Sequence, residues 1–199
     1  MRKLIEATLV SLDGVVGAQE TWTSAYFDAE SKDYALSALA DVDIFLLGRV
    51  TYEKLSAHWP LIQGDKYFDR INGLKKLVVS NTLQMVSWNA TLIKGDVAAQ
   101  IDRLKRQPGQ NIMKYGTSRL DRTLVEHDLI DEFHLWYFPV VPAIPGKTKR
   151  LFEDVDISHV KLELTDTHRF KNGTVLLTYV PRRKASPAPK SPSQRLQDR

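Results

Sequence analysis

The sequence predicts an α/β fold: a mixed, mostly parallel sheet flanked by helices, with a C-terminal antiparallel hairpin. Three observations carry the prediction. Residues 44–47 (Ile-Phe-Leu-Leu) form a short, wholly apolar run of the kind buried on both faces of a parallel sheet. Twice an apolar run ends in a glycine and hands over to a helix-like segment, at Gly48 and again at Gly116. Near the C-terminus Lys171-Asn172-Gly173 separates two strand-like runs, and Asn-Gly in that setting is a strong hairpin signal.

Taken in order, residues 2–11 read as the first strand, ended by the turn pair Asp13-Gly14. A polar loop with Trp22 follows. Asp28-Ala29-Glu30-Ser31 then reads as a helix start, with Tyr34, Ala35, Ala38 and Leu39 recurring at helical spacing. The strand at 44–47 leads into a helix opening at Thr51 and stopped at His58-Trp59-Pro60, where proline blocks continuation. Residues 74–80 and 90–93 are two further strands. Residues 97–106 form an amphipathic helix, with Val97, Ile101 and Leu104 on one side, ending at Pro108-Gly109. Residues 112–115 form a strand that feeds the second glycine junction. A long, mostly apolar strand at 131–141 runs into a connection stiffened by Pro139, Pro142 and Pro145. Residues 160–170 and 174–180 make the hairpin, so the expected order is βαβαββαβαβ followed by two antiparallel strands.

Composition bounds the function. At 199 residues and 22.7 kDa, one domain over residues 1–181 is expected, followed by a basic tail at 182–199. The absence of cysteine excludes disulfides, thiol catalysis and cysteine metal sites, and is compatible with a cytoplasmic protein. No stretch approaches the ~20 apolar residues of a membrane span, and Met1-Arg2-Lys3 leads directly into a strand with no secretion segment. The formal charge is +4, but six basic residues and one acid in 181–199 carry +5, leaving −1 on residues 1–180. No specific nucleic-acid partner or membrane contact is therefore expected of the folded part. The Pro/Ser-rich tail has almost nothing to bury and reads as disordered. His58, His127, His134, His159 and His168 show no metal-ligand spacing and read as structural, so no metal is expected. Neither a phosphate-loop lysine motif, a nucleophile elbow nor a Gly-x-Gly-x-x-Gly fingerprint is present.

The two glycine junctions are the candidate chemistry. A helix start offers unpaired N–H groups and the positive end of its dipole, and both attract phosphate. Glycine lets backbone approach closely, and Thr51, Thr117 and Ser118 add hydroxyl donors. Two such mouths fit a ligand with two phosphate regions, as in a dinucleotide. Either one alone is also what any α/β protein needs for a turn and an N-cap.

These residues resemble the dihydrofolate-reductase-like superfamily, and within it the branch of the RibD C-terminal domain, the reductase of bacterial riboflavin biosynthesis. The resemblance rests on Ser11-Leu12-Asp13-Gly14-Val15-Val16, Leu47-Gly48-Arg49-Val50-Thr51-Tyr52-Glu53, Leu77-Val78-Val79-Ser80, and Gly116 with Leu120 and Leu124. It continues through Leu129-Ile130-Asp131-Glu132, Pro139-Val140 with Gly146, Leu151-Phe152 and Asn172-Gly173-Thr174, and so covers about residues 2–181. It implies NADPH bound across the sheet: Gly48, Arg49 and Thr51 at the pyrophosphate and adenosine-side phosphate, Ser80 and Asn81 along the adenosine, and Gly116, Thr117 and Ser118 completing the cradle. A guanidinium is also the favoured partner of a phosphate fork, which suits Arg49 independently. Many relatives have consecutive glycines at the second junction. Here Lys114-Tyr115 stand in their place, and Lys114 becomes a candidate phosphate ligand.

Asp13 follows the first strand, where the resemblance puts nicotinamide and substrate, and is the candidate proton-handling residue; Asp-Gly is equally good turn chemistry. Trp22, Phe27, Tyr34 and Trp59 are candidates to line an apolar substrate slot, or else core. Folate reductases carry an acid on the first helix; Asp28 and Glu30 lie nearby, yet neither aligns with it, which argues against classical dihydrofolate reduction. The riboflavin enzymes carry a zinc deaminase domain ahead of the reductase, so this cysteine-free chain reads as a stand-alone reductase. The expected activity is NADPH-dependent hydride transfer to a small pterin- or pyrimidine-like heterocycle, with 5-amino-6-(5-phosphoribosylamino)uracil reductase as the named type. The alternative is a non-catalytic nucleotide-binding homodimeric module; the long strand at 133–141 is a candidate to pair two subunits, or else is buried within one chain. A third reading is an anionic-polymer binder acting through the tail.

Overall fold

The computed structural model describes residues 1–146, 148–158 and 160–182. Of the tail expected at 182–199, Arg182 is the last residue of the final strand, while residues 183–199 lie outside the described residues, as does His159. The chain runs β1 (Leu4–Ser11), α1 (Ala29–Ala38), β2 (Val42–Gly48), α2 (Arg49–Ser56), α3 (Lys66–Gly73), β3 (Lys75–Val79), β4 (Ala90–Ile93), α4 (Val97–Arg106), β5 (Asn111–Tyr115), α5 (Leu120–Glu126), β6 (Glu132–Phe138), β7 (Lys161–Arg169) and β8 (Val175–Arg182). All eight strands form one sheet in the order β4-β3-β2-β5-β1-β6-β8-β7. The first six are parallel; β8 is antiparallel to β6, and β7 to β8. This is the mixed, mostly parallel α/β sheet with a C-terminal antiparallel hairpin that the apolar run and the Asn172-Gly173 turn announce.

Right-handed crossovers dictate which helix covers which face. The chain moves outward from β1 to β2 to β3, and α1, α2 and α3 cover one face through Ala35, Leu39, Tyr52, Tyr67 and Ile71. It moves back from β4 to β5 and on to β6, and α4 and α5 cover the other through Ala98, Ile101, Leu120, Leu124 and Val125. The apolar run of β2 is buried because it lies between β3 and β5 and under helices on both sides: Phe45 and Leu47 face the first core, Ile44 and Leu46 the second.

One helix is absent from the sequence expectation. In α3 the Asp65 carboxylate accepts from the Tyr67 and Phe68 N–H groups at 3.0 and 3.4 Å, an N-cap after Gly64. Tyr67 and Ile71, four residues apart, are its buried stripe. At its other end the fully buried Lys76 Nζ donates to the Ile71, Asn72 and Leu74 carbonyls at 2.6–2.8 Å, satisfying groups a helix end leaves open. A second difference concerns α2. It starts at Arg49 with Gly48 as N-cap, so Thr51 sits inside the first turn rather than opening the helix.

Candidate active site

In a parallel sheet, ligands bind beyond the carboxyl ends of neighbouring strands whose connections leave to opposite faces. Here β2 sends the chain to the α1–α3 face and its neighbour β5 sends it to the α4–α5 face. The crevice between them is bounded by Gly48 and by Gly116-Thr117-Ser118. The two glycine junctions meet there: a Cβ added to Gly48 would lie 3.5 Å from Ser118 Oγ.

The first mouth is open. Gly48 has φ −78° and ψ 159°, an extended backbone any residue adopts, and no side chain caps α2. No acid stands in its first turn. Arg49 is exposed and reaches along the helix to Glu53 at 2.9 Å, a surface pair worth about 0–1 kcal/mol. Thr51 is half-buried behind it.

The second mouth is more nearly closed. Gly116 adopts φ +70°, and its N–H donates to the Ala7 carbonyl. Ser118 Oγ accepts from Leu120 N–H at 3.2 Å, and the Asp121 carboxylate accepts from Ser118 N–H, together a reciprocal cap. That occupies two of the amides a phosphate would use. Thr117 Oγ1 is the exception: it is buried with no hydrogen-bond partner among the described residues.

Lys114 is not part of the cradle. Its side chain points under the loop, 1% exposed, with Nζ 2.6 Å from Asp121 Oδ1, 3.4 Å from Glu6 Oε2 and 2.5 Å from the Gly116 carbonyl. Burial pushes Lys114 down, but Glu6 and Asp121 together outweigh it and hold it above the ordinary lysine value. Burial also pushes the Glu6 carboxyl well above its usual range. The lysine thus fastens β1, β5 and α5 beneath the loop. The cation that does reach the loop is Lys149, which sequence reasoning missed: its Nζ donates to the Thr117 carbonyl at 3.1 Å and pairs with Asp154 at 2.9 Å. It arrives because Val15 bridges Arg150, and the Val16 N–H donates to the Lys149 carbonyl.

Asp13 lies at the end of β1, half-buried, accepting from Ser11 Oγ at 2.6 Å; its carbonyl accepts from Arg150. Ser80 is buried with its Oγ accepting from the Thr82 and Leu83 N–H groups, so its hydroxyl shapes the turn after β3, while Asn81 is exposed. Both are on the β3 side of the crevice, since Val79 pairs with Gly48.

The aromatic candidates divide. Trp22 is buried, its Nε1 donating to the Gly17 carbonyl and its ring edge-on to Phe138 at 5.8 Å. Phe27 and Trp59 are half-buried on the α1–α3 face beside Tyr67, at 5.8 and 6.4 Å between ring centres. The two acids turn away from that face. Asp28 caps α1 through Ser31 N–H and accepts from Asn172 Nδ2; Glu30 accepts from Lys171 N–H. They clasp the hairpin turn to α1 and are withdrawn from the slot predicted for them. Among the described residues no cluster of three metal-ligating side chains exists, and no helix is long and apolar enough to cross a membrane.

The sequence matches the RibD C-terminal domain family over residues 2–176. It is 28% identical over 185 residues to the Bacillus subtilis protein YyaP, covering 89% of this chain and 94% of that relative. The fold is similar to a pyrimidine reductase-like protein of Corynebacterium diphtheriae, with TM-score 0.63, 14% identity, and 92% and 93% of the two chains covered. It is also similar to dihydrofolate reductase of Enterococcus faecalis complexed with NADP(H), with TM-score 0.59, 12% identity, and 91% and 97% covered. At such identities the solved structures speak to the fold; the family match, running from β1 into β8 over the crevice just described, shows that the chain belongs to the RibD C-terminal domain family.

Proposed function

We propose that the chain is an NADPH-dependent reductase acting on a small pterin- or pyrimidine-like heterocycle, of the 5-amino-6-(5-phosphoribosylamino)uracil reductase type. The observation that carries this reading is Gly48. Its backbone angles do not require glycine, and a Cβ there would make only an ordinary contact with Ser118 Oγ. The fold therefore has no need of glycine at this position, whereas a phosphate approaching the uncapped start of α2 does. The orphaned Thr117 Oγ1 supplies a hydroxyl on the opposite wall. Family membership and the reductase-like relatives support the same chemistry.

When bound, NADPH supplies the hydride. The amides of the first turn of α2 and Thr51 would hold its pyrophosphate. Arg49, exchanging its weak partner Glu53 for a phosphate, would grip the adenosine-side phosphate, with Ser80 and Asn81 alongside. Gly116, Thr117 and Ser118 would form the far wall. Asp13, at the end of the central strand, would hold or pass a proton at the reacting ring. A homodimer is a further part of this proposal; the long strand expected to pair two subunits is β6, hydrogen-bonded on both sides to β1 and β8, so pairing would fall instead to the edge strand β7, where Leu164 is 48% exposed.

The non-catalytic module is the second reading, favoured by the amides of the second mouth being engaged internally. Quenching of the four tryptophans by NADPH tests binding, and oxidation of NADPH with a pyrimidine or pterin acceptor separates the two readings. Gly48→Ala should melt like the wild type and bind NADPH about tenfold more weakly, equivalent to about 1.4 kcal/mol. Unchanged affinity in that variant, or no quenching of the wild type, ends the coenzyme assignment.

A further inference from the structure

The chain contains two Asn-Gly pairs, Asn72-Gly73 and Asn172-Gly173, and the fold treats them differently. Asn-Gly is open to self-attack because a residue without Cβ lets its nitrogen swing onto the preceding side-chain amide. Asn72 lies in the last turn of α3, where helical dihedrals keep the Gly73 nitrogen out of line. Its Nδ2 donates to the Trp59 and Ile62 carbonyls at 3.0 and 3.3 Å, and its Oδ1 accepts from Trp88 Nε1 at 2.8 Å. Trp59 and Trp88 pack against the core of the α1–α3 face, so this pair is released only when that core opens.

Asn172 sits at the tip of the β7–β8 hairpin, half-buried and outside any helix, with Gly173 at φ +87°. Its Nδ2 donates to the Tyr26 carbonyl, to Asp28 Oδ2 at 3.1 Å and to Ser31 Oγ at 3.2 Å. Its Oδ1 accepts from Thr174 N–H at 2.9 Å, and the Gly173 N–H donates to the Phe170 carbonyl at 3.1 Å. Beside them the Lys171 N–H donates to Glu30. The attacking nitrogen and the leaving amine are thus both held. Yet every acceptor of that amine belongs to residues 26–31, across a contact between a hairpin tip and the start of α1. A tip held through a few polar groups opens more readily than a core.

We propose that Asn172 is the chain's deamidation site, guarded by the contact between the hairpin tip and α1, and that its conversion undoes this contact irreversibly. When the tip lifts, the Gly173 nitrogen gives its proton to solvent and attacks Asn172 Cγ. The new N–Cγ bond replaces the Cγ–Nδ2 bond, and the amine takes a proton from solvent and leaves as ammonia. Water then opens the cyclic imide at either carbonyl, giving aspartate or isoaspartate. The sum is one water consumed and one ammonia released, with no oxidation or reduction. Both products lack the amide donors. Aspartate sets a second carboxylate against Asp28 and the Tyr26 carbonyl, and like charges repel. Isoaspartate adds a methylene to the backbone of a turn closed by the Gly173–Phe170 bond. Neither can rebuild the contact that guarded the amide.

Peptide-mapping mass spectrometry follows both pairs as the whole chain ages in warm, mildly alkaline buffer. In urea, with the fold gone, Asn72 and Asn172 should convert at similar rates. In native buffer Asn172 should convert at least about tenfold more slowly than in urea, because reaction awaits opening, and still ahead of Asn72. Asp28→Ser together with Glu30→Ala removes two of the tip's partners while serine still caps α1. That variant should speed Asn172 several-fold and leave Asn72 unchanged. Asn172→Asp, the direct product, should melt about 2–4 °C below wild type. Adding Asp28→Asn, which keeps a capping side chain and removes the facing charge, should recover part of the loss. Conversion of Asn172 as fast in native buffer as in urea, Asn72 reacting first, or an Asn172→Asp protein that melts like wild type each overturns the inference. So does release of both pairs together in the double variant, which would place the guard in the core and not in the tip contact.

Discussion

Replacing Lys114 with methionine removes the central charge of a buried network while keeping most of the side chain's length. The lysine and its two acids, Glu6 and Asp121, are at most 1% exposed. Burial raises Glu6 well above its ordinary value and so favours its neutral form, and the shorter of the lysine's two acid contacts, 2.6 Å against 3.4 Å, is to Asp121. Methionine leaves the Asp121 carboxylate in the core with the Ser118 N–H and the Glu6 carboxyl beside it. Breaking a buried pair from one side costs about 3–5 kcal/mol, a large share of the roughly 5–15 kcal/mol that holds a domain together. At about 2–4 °C per kcal/mol for a chain of this size, the unfolding midpoint should fall by roughly 6–20 °C. Circular dichroism melts at neutral pH measure it, with Glu6→Gln as control, expected within about 1 kcal/mol of wild type because the amide keeps the shape and hydrogen-bonding atoms of the carboxyl. The triple variant Glu6→Gln, Lys114→Met, Asp121→Asn should recover more than half of the loss, since no buried charge remains. A Lys114→Met protein that melts within about 2 °C of wild type yet loses NADPH would refute the reasoning and return the lysine to the phosphate site.

Three further outcomes are expected. Arg49→Ala should weaken NADPH about tenfold and NADH much less, by fluorescence titration, because the proposed function puts the guanidinium at the extra phosphate; equal losses would remove it from that role. Gly116→Ala should destabilise by about 1–2 kcal/mol from the left-handed backbone alone, since a Cβ there meets nothing within 4 Å; chemical denaturation reads it. Glu132 is held at about 2, first by its hydrogen bond to His134 and then by Lys3. Its folded value lies below its unfolded one, so its contribution is present above the ordinary carboxylate range and is lost as pH falls toward about 2. For a half-exposed group that amounts to about 1–2 kcal/mol, and urea melts of wild type and Glu132→Gln should converge across that interval.

What the sequence made legible was the periodic part of the molecule. An unbroken apolar run such as 44–47 is compatible with one environment, the middle of a parallel sheet, and α4 and the hairpin turn follow from equally local rules. Helix α3 was less legible because its eight residues bury only Tyr67 and Ile71, and the Gly64-Asp65 cap was its one strong mark. The misassignment of Lys114 has a different cause. Loop chemistry draws attention to any cation beside a glycine, but strand alternation puts Lys114 and Tyr115 on opposite faces, one under the loop and one on the α1–α3 face. The clue was Glu6, a carboxylate inside the otherwise apolar first strand. Two charged residues in neighbouring buried strands must meet, and Glu6 and Lys114 are register partners.

The acids near α1 show the limit of reasoning from type and neighbourhood. Asp28 and Glu30 stand where a ring-binding acid would be sought, yet N-cap geometry turns Asp28 back onto Ser31, and the hairpin turn, over 140 residues away, takes up both. A long-range contact of that kind leaves no local trace. What stays on the α1–α3 face is a pair of phenols, Tyr67 donating to Tyr115 at 3.0 Å, brought together by strand β5 and by helix α3, the one helix that local periodicity failed to announce.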